Sequence, residues 1–217
     1  MDKIIVLDNQ STDDSRSLFA PYENILVKSY DTGGEYREDV QTGIRNTIWK
    51  KSRGHADYVI VCDLDEFLYV KDPDHFFGYL RSQKITVVRP LGFDMVSLQL
   101  PVQGRQIYDQ IKEGVRNPQF DKMIFFDPNQ IEEINFSPGS HLALPEGYVK
   151  ILKRNDKIKL LHYRYLSEEY ILKKHRKLHH RRSAITKKNN WGYHYSYPEQ
   201  QQIKIFQKVY NSREKVV

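Results

Sequence analysis

A chain of 217 residues holds one substantial domain with room for a small appendage, which excludes two enzymes of ordinary size. A hydrophobic fraction of 39% with 15 Tyr, 10 Phe and 2 Trp excludes wholesale disorder. Its one cysteine, Cys62, excludes an intramolecular disulfide and a multi-cysteine zinc site, favours a reducing compartment, and reads as a small core residue. Lys and Arg outnumber Asp and Glu by 34 to 28, an excess that suits nucleotides, anionic glycans, nucleic acid or an acidic membrane face without choosing among them.

The opening run Met1-Asp2-Lys3-Ile4-Ile5-Val6-Leu7 is too short for a signal segment before Asp8 interrupts it. No stretch reaches the roughly 20 apolar residues of a membrane span, so the expected location is cytoplasmic. Residues 4–7 read as a buried parallel-type strand followed by the polar loop Asp8-Asn9-Gln10-Ser11-Thr12-Asp13, with Ser11 or Asp13 capping a helix through Phe19. Residues 25–27 make a second strand, closed by Asp31-Thr32-Gly33-Gly34, where paired glycines mark a loop needing backbone freedom. Residues 39–51 look helical, with Val40, Ile44, Thr47 and Ile48 on one face.

Tyr58-Val59-Ile60-Val61-Cys62 is the strongest strand signal, β-branched and apolar on both faces, and is expected to be central in the sheet. It delivers Asp63-Leu64-Asp65-Glu66 to a strand end. Strands alternating with helices argue for an open α/β sheet, which binds ligands at the carboxyl ends of its strands. Further strands are expected at 85–88 and 123–126, in a mixed continuation of the sheet. Residues 148–152 and 158–163 are expected to pair as a hairpin across Asn155-Asp156. Beyond Ser167 the pattern turns helical and basic, with Ser167 as the N-cap and Tyr170, Ile171, Lys174, His175 and Leu178 on one face.

Three carboxylates packed at a strand end repel one another unless a cation neutralises them. Asp63, Asp65 and Glu66 therefore suit Mg²⁺ or Mn²⁺, whose open positions go to nucleotide phosphates; an acidic turn paired with nearby Lys or Arg is the other reading. The Asp8-to-Asp13 cluster can hydrogen-bond a base or ribose, or simply cap a helix. Together the two clusters describe a nucleotide and metal crevice.

Val6-Leu7-Asp8-Asn9-Gln10-Ser11-Thr12-Asp13-Asp14-Ser15 and Tyr58-Val59-Ile60-Val61-Cys62-Asp63-Leu64-Asp65-Glu66-Phe67-Leu68 resemble the family 2-like glycosyltransferases of the GT-A fold, in the branch with an Asp-Leu-Asp-Glu-Phe motif. Phe120-Asp121-Lys122-Met123-Ile124, Gly139-Ser140-His141 and Leu161-His162-Tyr163-Arg164-Tyr165 resemble later landmarks of that branch. The resemblance implies a GT-A-like open mixed sheet flanked by helices, with a catalytic domain over 1–166 (nucleotide and metal half 1–84, acceptor half 85–166) and a basic helical extension over 167–217. It implies nucleotide contacts from Asp8, Asn9, Ser11, Asp31 and Asp63. Metal contact falls to Asp65, assisted by Asp63, with His162 as a further ligand and His141 as second choice. Family members begin with another strand before the one ending in Asp-Asn-x-Ser, so the resemblance also implies a missing first strand and a weakened base-binding wall.

The implied reaction moves a sugar from a nucleotide-diphosphate sugar to a glycan or lipid-linked glycan hydroxyl, with inversion and in surface or extracellular glycan biosynthesis. Inversion by direct displacement needs a general base. Asp94, Glu113 and Asp121 lie where an acceptor site is expected, each with the alternative of a loop carboxylate or ion-pair partner. Lys122 pairs either with phosphate or with Asp127. The basic run 173–182 reads as a solvated helix surface or as a contact with an anionic membrane at the inner face. Two rivals remain: a catalytically impaired GT-A-like binding protein, and a nucleic-acid-binding module using Arg181, Arg182 and the aromatics Trp191, Tyr193, Tyr195 and Tyr197. The acidic clusters disfavour nucleic acid as a partner.

Overall fold

The computed structural model describes residues 2–152 and 156–217. The first strands are β1 (Ile4–Asp8) and β2 (Ile25–Ser29), paired in parallel with Ile4 opposite Ile25 and Asp8 opposite Ser29. Between them Asp13 accepts a hydrogen bond from the Ser15 amide at 3.2 Å. It thereby caps a turn over Asp14–Phe19 that winds as 3₁₀ rather than α. Gly33 and Gly34 both take positive φ, 62° and 76°, as expected for the loop they form. Helix α1 (Glu38–Thr47) runs on into a 3₁₀ turn over Ile48–Ser52. Its Val40 and Ile44 are only half-buried and Thr47 is exposed. The anchor of this segment is Trp49, whose buried ring meets Phe126 edge-on at 4.9 Å.

The strand expected at the centre of the sheet is short and peripheral. β3 (Val59–Ile60) lies at the edge of a three-stranded antiparallel sheet whose middle strand is β8 (Phe125–Phe126) and whose other edge is β5 (Val87–Val88). Its residues are half-buried, and Cys62, expected in the core, is exposed. β-branched composition favours extended backbone but does not set depth, which depends on what packs above and below. Phe125 and Phe126 bury more apolar surface and take the central place.

The principal sheet is formed by β4 (Glu66–Val70), β6 (Leu91–Ser97), β7 (Glu113–Arg116), β11 (Ile158–Leu166) and β12 (Glu214–Lys215), in the order β12-β7-β6-β11-β4. β6 and β11 are parallel and the other pairs antiparallel, so this is an open mixed sheet. The expected hairpin of 148–152 with 158–163 does not form. β11 pairs with β4 and β6, while Leu152 bonds back to the Val87 carbonyl at 2.9 Å; Asn155, placed at the turn, lies outside the described residues. β11 is buried on both faces, and such a strand needs a partner on each side. The mostly exposed 148–152 stretch cannot bury one flank of it. A small antiparallel pair, β9 (Ile131–Glu133) with β10 (Glu146–Gly147), lies apart.

Helix α2 (Pro73–Ser82), capped by Asp72 and started by Pro73, buries Phe76 and Leu80; α3 (Ile107–Gln110) is a single turn. Beyond Ser167, whose side chain accepts from the Tyr170 amide, come α4 (Glu168–Arg181), α5 (Ala184–Lys188) and α6 (Glu199–Asn211). α4 turns the expected face inward: Ile171 and His175 are buried and Tyr170, Lys174 and Leu178 half-buried, while Lys173, Arg176, Lys177 and His180 are exposed. Val216, just past β12, returns to the core beside Phe93, Met95 and Ile111. Among the described residues no helix is long and apolar enough to cross a membrane.

Candidate active site

The turn Asp63-Leu64-Asp65 joins β3 to β4, and Glu66 is the first residue of β4. Strand register then sets a row across the principal sheet: Glu66 lies opposite His162 on β11, and His162 opposite Asp94 on β6. All three are buried, at 5%, 8% and 7% exposure respectively. Ionisable groups in the middle of a sheet cost free energy unless they are paired. Each of these is.

Asp94 is saturated. His162 Nδ1 donates to its Oδ1 at 2.9 Å and Asn117 Nδ2 donates to its Oδ2 at 2.6 Å. The carboxylate only accepts, so Nδ1 carries the proton and Nε2 points at Asp65, 3.7 Å from Oδ2. Phe120 stacks on the imidazole with ring centroids 4.2 Å apart. Gly92 makes that possible, since a β-carbon there would collide with the Phe120 main chain. Burial alone disfavours the imidazolium, but the nearby Asp65 carboxylate and the hydrogen bond and charge of Asp94 outweigh it and raise the His162 pKa above the ordinary histidine value.

Every carboxylate of the acidic motif also meets its own basic residue. Arg45 of α1 binds Asp63, Lys122 binds Glu66 in full burial, and Lys174 of α4 binds Asp65 Oδ2 at 2.6 Å. Burial pushes the Asp65 carboxyl up, yet the nearby His162 ring and the Lys174 ammonium override it and hold it far below the usual carboxylate range. For Lys174 burial works downward, and Asp65 reverses it, raising the ammonium pKa. Arg45 also reaches Glu38 at 3.3 Å; Glu38 is buried and accepts from Tyr36 Oη and, at 2.7 Å, from the Gly139 amide. Lys122, expected to face phosphate or Asp127, is thus committed to Glu66.

The first polar cluster lies at the carboxyl end of β1. Asp8 is buried; Oδ1 accepts from the Ser11 amide at 3.1 Å, while Oδ2 has no hydrogen-bond partner and faces Arg16 Nε at 3.8 Å. Asn9 Nδ2 donates to Thr32 Oγ1 at 2.9 Å, and Asp31 accepts from the Gly33 amide at 2.7 Å; Asp31 and Ser11 are exposed. Tyr30 links the two clusters: its amide bonds the Asp8 carbonyl at 3.0 Å, and its phenol lies within electrostatic range of Arg45, Arg181 and Asp63.

Other expected positions stand apart. Glu113 is exposed and takes Arg213 Nε at 2.8 Å across the β7–β12 edge. Asp121 is a clamp, accepting from the Gly92 amide at 2.8 Å and from Arg116 at 2.6 Å. His141 bonds the Gln119 carbonyl at 3.0 Å and meets the edge of Phe120. Arg182 is buried against Ser196, within the C-terminal region, and Arg181 Nε donates to the Gly34 carbonyl, tying the end of α4 to an N-terminal loop.

Sequence reasoning missed Arg45, Asn117 and the part played by Lys174. The signal for Lys174 was present: a lysine on the inward face of α4 beside Ile171 and His175 needs a buried partner. Arg45 and Asn117 carry no such mark.

Two side chains of the site could take part in holding a divalent cation. Asp65 Oδ2 and the unprotonated form of His162 Nε2 are two acceptors facing each other, and a carboxylate behind the histidine is the usual support of a metal-ligating imidazole. Among the described residues no group of three His, Cys, Asp or Glu is placed to hold a metal ion, so an ion held by these two would take its other ligands from water or phosphate oxygens. No protein-family model matches the chain, and no curated protein gives a significant match.

Proposed function

We propose that the chain is a glycosyltransferase of GT-A-like architecture that moves a sugar from a nucleoside-diphosphate donor to an acceptor hydroxyl. The observation that carries this reading is the buried row Glu66–His162–Asp94 set against the Asp63–Asp65 turn. Buried ionisable groups that shift one another's titration cluster at functional sites. Asp65 and His162 are the residues to hold Mn²⁺ or Mg²⁺, which when bound supplies Lewis-acid charge toward a departing diphosphate.

In this proposal Asp94 fixes the His162 tautomer, and Asn117 fixes Asp94. Phe120 covers the imidazole and excludes water from that face. Arg45 and Lys174 bring positive charge to the edge where the phosphates lie. Asn9 and the exposed Ser11 at the end of β1 contact the nucleoside, and the buried Asp8 holds that loop through its hydrogen bond from the Ser11 amide. Both oxygens of Asp94 are engaged, so its part is to position His162. The acceptor is a glycan or lipid-linked glycan, and the exposed basic face of α4 supports peripheral contact with an anionic membrane.

Donor hydrolysis and thermal shift are measured across UDP- and GDP-sugars with and without Mn²⁺. One donor is expected to give Mn²⁺-dependent turnover that Asp65→Asn lowers at least about 100-fold, since Lewis-acid stabilisation is worth several kcal/mol. Absence of any metal-dependent shift or hydrolysis with every donor overturns the proposal.

A further inference from the structure

Lys174 and a divalent cation make the same claim on Asp65. The ammonium is 2.6 Å from Oδ2, the oxygen that faces His162 Nε2 at 3.7 Å. An ion bound to that oxygen lies about 2.0–2.1 Å from it, which puts Nζ and the ion in contact range with like charge. Lys174 is no incidental surface lysine. It sits on the inward face of α4, its side chain 28% exposed, with the Tyr170 ring 5.9 Å from Nζ. Its neighbour Lys173 points to solvent. Asp63 and Glu66 have cations of their own in Arg45 and Lys122, so Lys174 answers to Asp65 alone among the three carboxylates.

We infer that Lys174 is a built-in competitor for the metal: it holds the cation position at Asp65, and a divalent ion binds there only by displacing it. This rests on the reading of Asp65 as the metal-binding carboxylate. The consequence is a coupling between ion binding and α4, because Lys174 ties the inward face of that helix to the turn after β3. Displacement breaks the tie and frees an ammonium on a flexible stem at the mouth of the site, while His162 keeps its support from Asp94. Metal affinity is thereby set by a residue that never touches the metal.

The test uses Mn²⁺ alone, with free ion counted by electron paramagnetic resonance, on the whole chain and four variants. Lys174→Met is expected to bind Mn²⁺ at least about tenfold more tightly than the unaltered chain, by loss of a partly buried ion pair. Lys173→Met removes the same charge from the solvent face and is expected to change affinity by less than about twofold, as a screened surface charge does. Asp65→Asn, made in the Lys174→Met background, is expected to abolish the tight site. Thermal melts check that each variant folds, and Lys174→Arg, which keeps the cation, is expected to restore weak binding if Met perturbs packing. Equal affinity in Lys174→Met and Lys173→Met, with binding still dependent on Asp65, overturns the competition and leaves the metal site standing. Mn²⁺ binding that ignores Asp65→Asn, or no binding in any variant, overturns the metal site and the competition together.

Discussion

The two halves of the molecule use apolar strands differently. In the N-terminal part, β1 buries only Val6 and Asp8, β2 buries nothing, and β3 is a half-buried edge. In the principal sheet β6 and β11 are buried almost throughout, and they carry charged groups within that burial. The hydrophobic runs are equally convincing in both places; the difference is in what covers them. The thin region presents loops, Asp8–Ser11 and Asp63–Asp65. The thick region supplies rigid supports, His162 and Asp94, on strands that cannot shift without disrupting the core. At their junction loop residues stand on one side and strand-held side chains on the other.

Substitutions can break this contrast. The largest effect is expected from Lys122→Met, which strands Glu66 in the core; loss of one partner of a buried pair costs about 3–5 kcal/mol, read from urea unfolding, and Glu66→Met in the same chain is expected to recover most of it. Next, Leu160→Ala in β11, where the side chain is fully buried, is expected to cost about 2–5 kcal/mol. Leu26→Ala in β2, 42% exposed, is expected to cost about 0.5 kcal/mol. Similar losses at the two leucines would show that the N-terminal pair is as well packed as the principal sheet.

A separate effect concerns pH. Burial, then the Arg164 charge, lowers the His175 pKa from 6.5 to about 4, and the same causes take His194 down to about 3. Between pH 6.5 and about 4 the unfolded chain binds protons that the folded chain refuses, so stability falls as pH falls through that window. A loss of about 2 kcal/mol for His175 between pH 7 and pH 5 is expected, and His175→Gln should flatten the dependence; an unchanged profile would remove this histidine from the account. Another small effect is at the sheet edge, where Glu113→Gln breaks the exposed pair with Arg213 while Arg213 keeps its contacts with Tyr210, and is expected to cost no more than about 1 kcal/mol.

Much of the local structure is legible without coordinates because it is set by neighbours in the chain. The Asp13 cap, the Gly33-Gly34 loop, the Ser167 cap and the inward face of α4 follow from backbone hydrogen bonding, φ preference and helical period. The acidic turn at a strand end follows in the same way. The central placing of 58–62, the 148–163 hairpin and the burial of Cys62 fail for one reason: each depends on competition for partners far along the chain. β-branched residues are satisfied by any strand neighbour, and the large side chains of β8 and the long strand β11 took the deep positions.

The opposed pairs at the site divide along the same line. Sequence by itself determined that carboxylates gather at 63–66, that a polar loop follows β1, and that Lys174 faces inward, since each is a property of consecutive residues or one helical turn. Only the tertiary structure decided that His162 stands between Glu66 and Asp94, that Arg45, Lys174 and Lys122 divide the three carboxylates among them, and that Glu113 lies at an edge with Arg213. Strand register and helix docking set those distances through packing free energy summed over the whole core, a quantity no short segment carries.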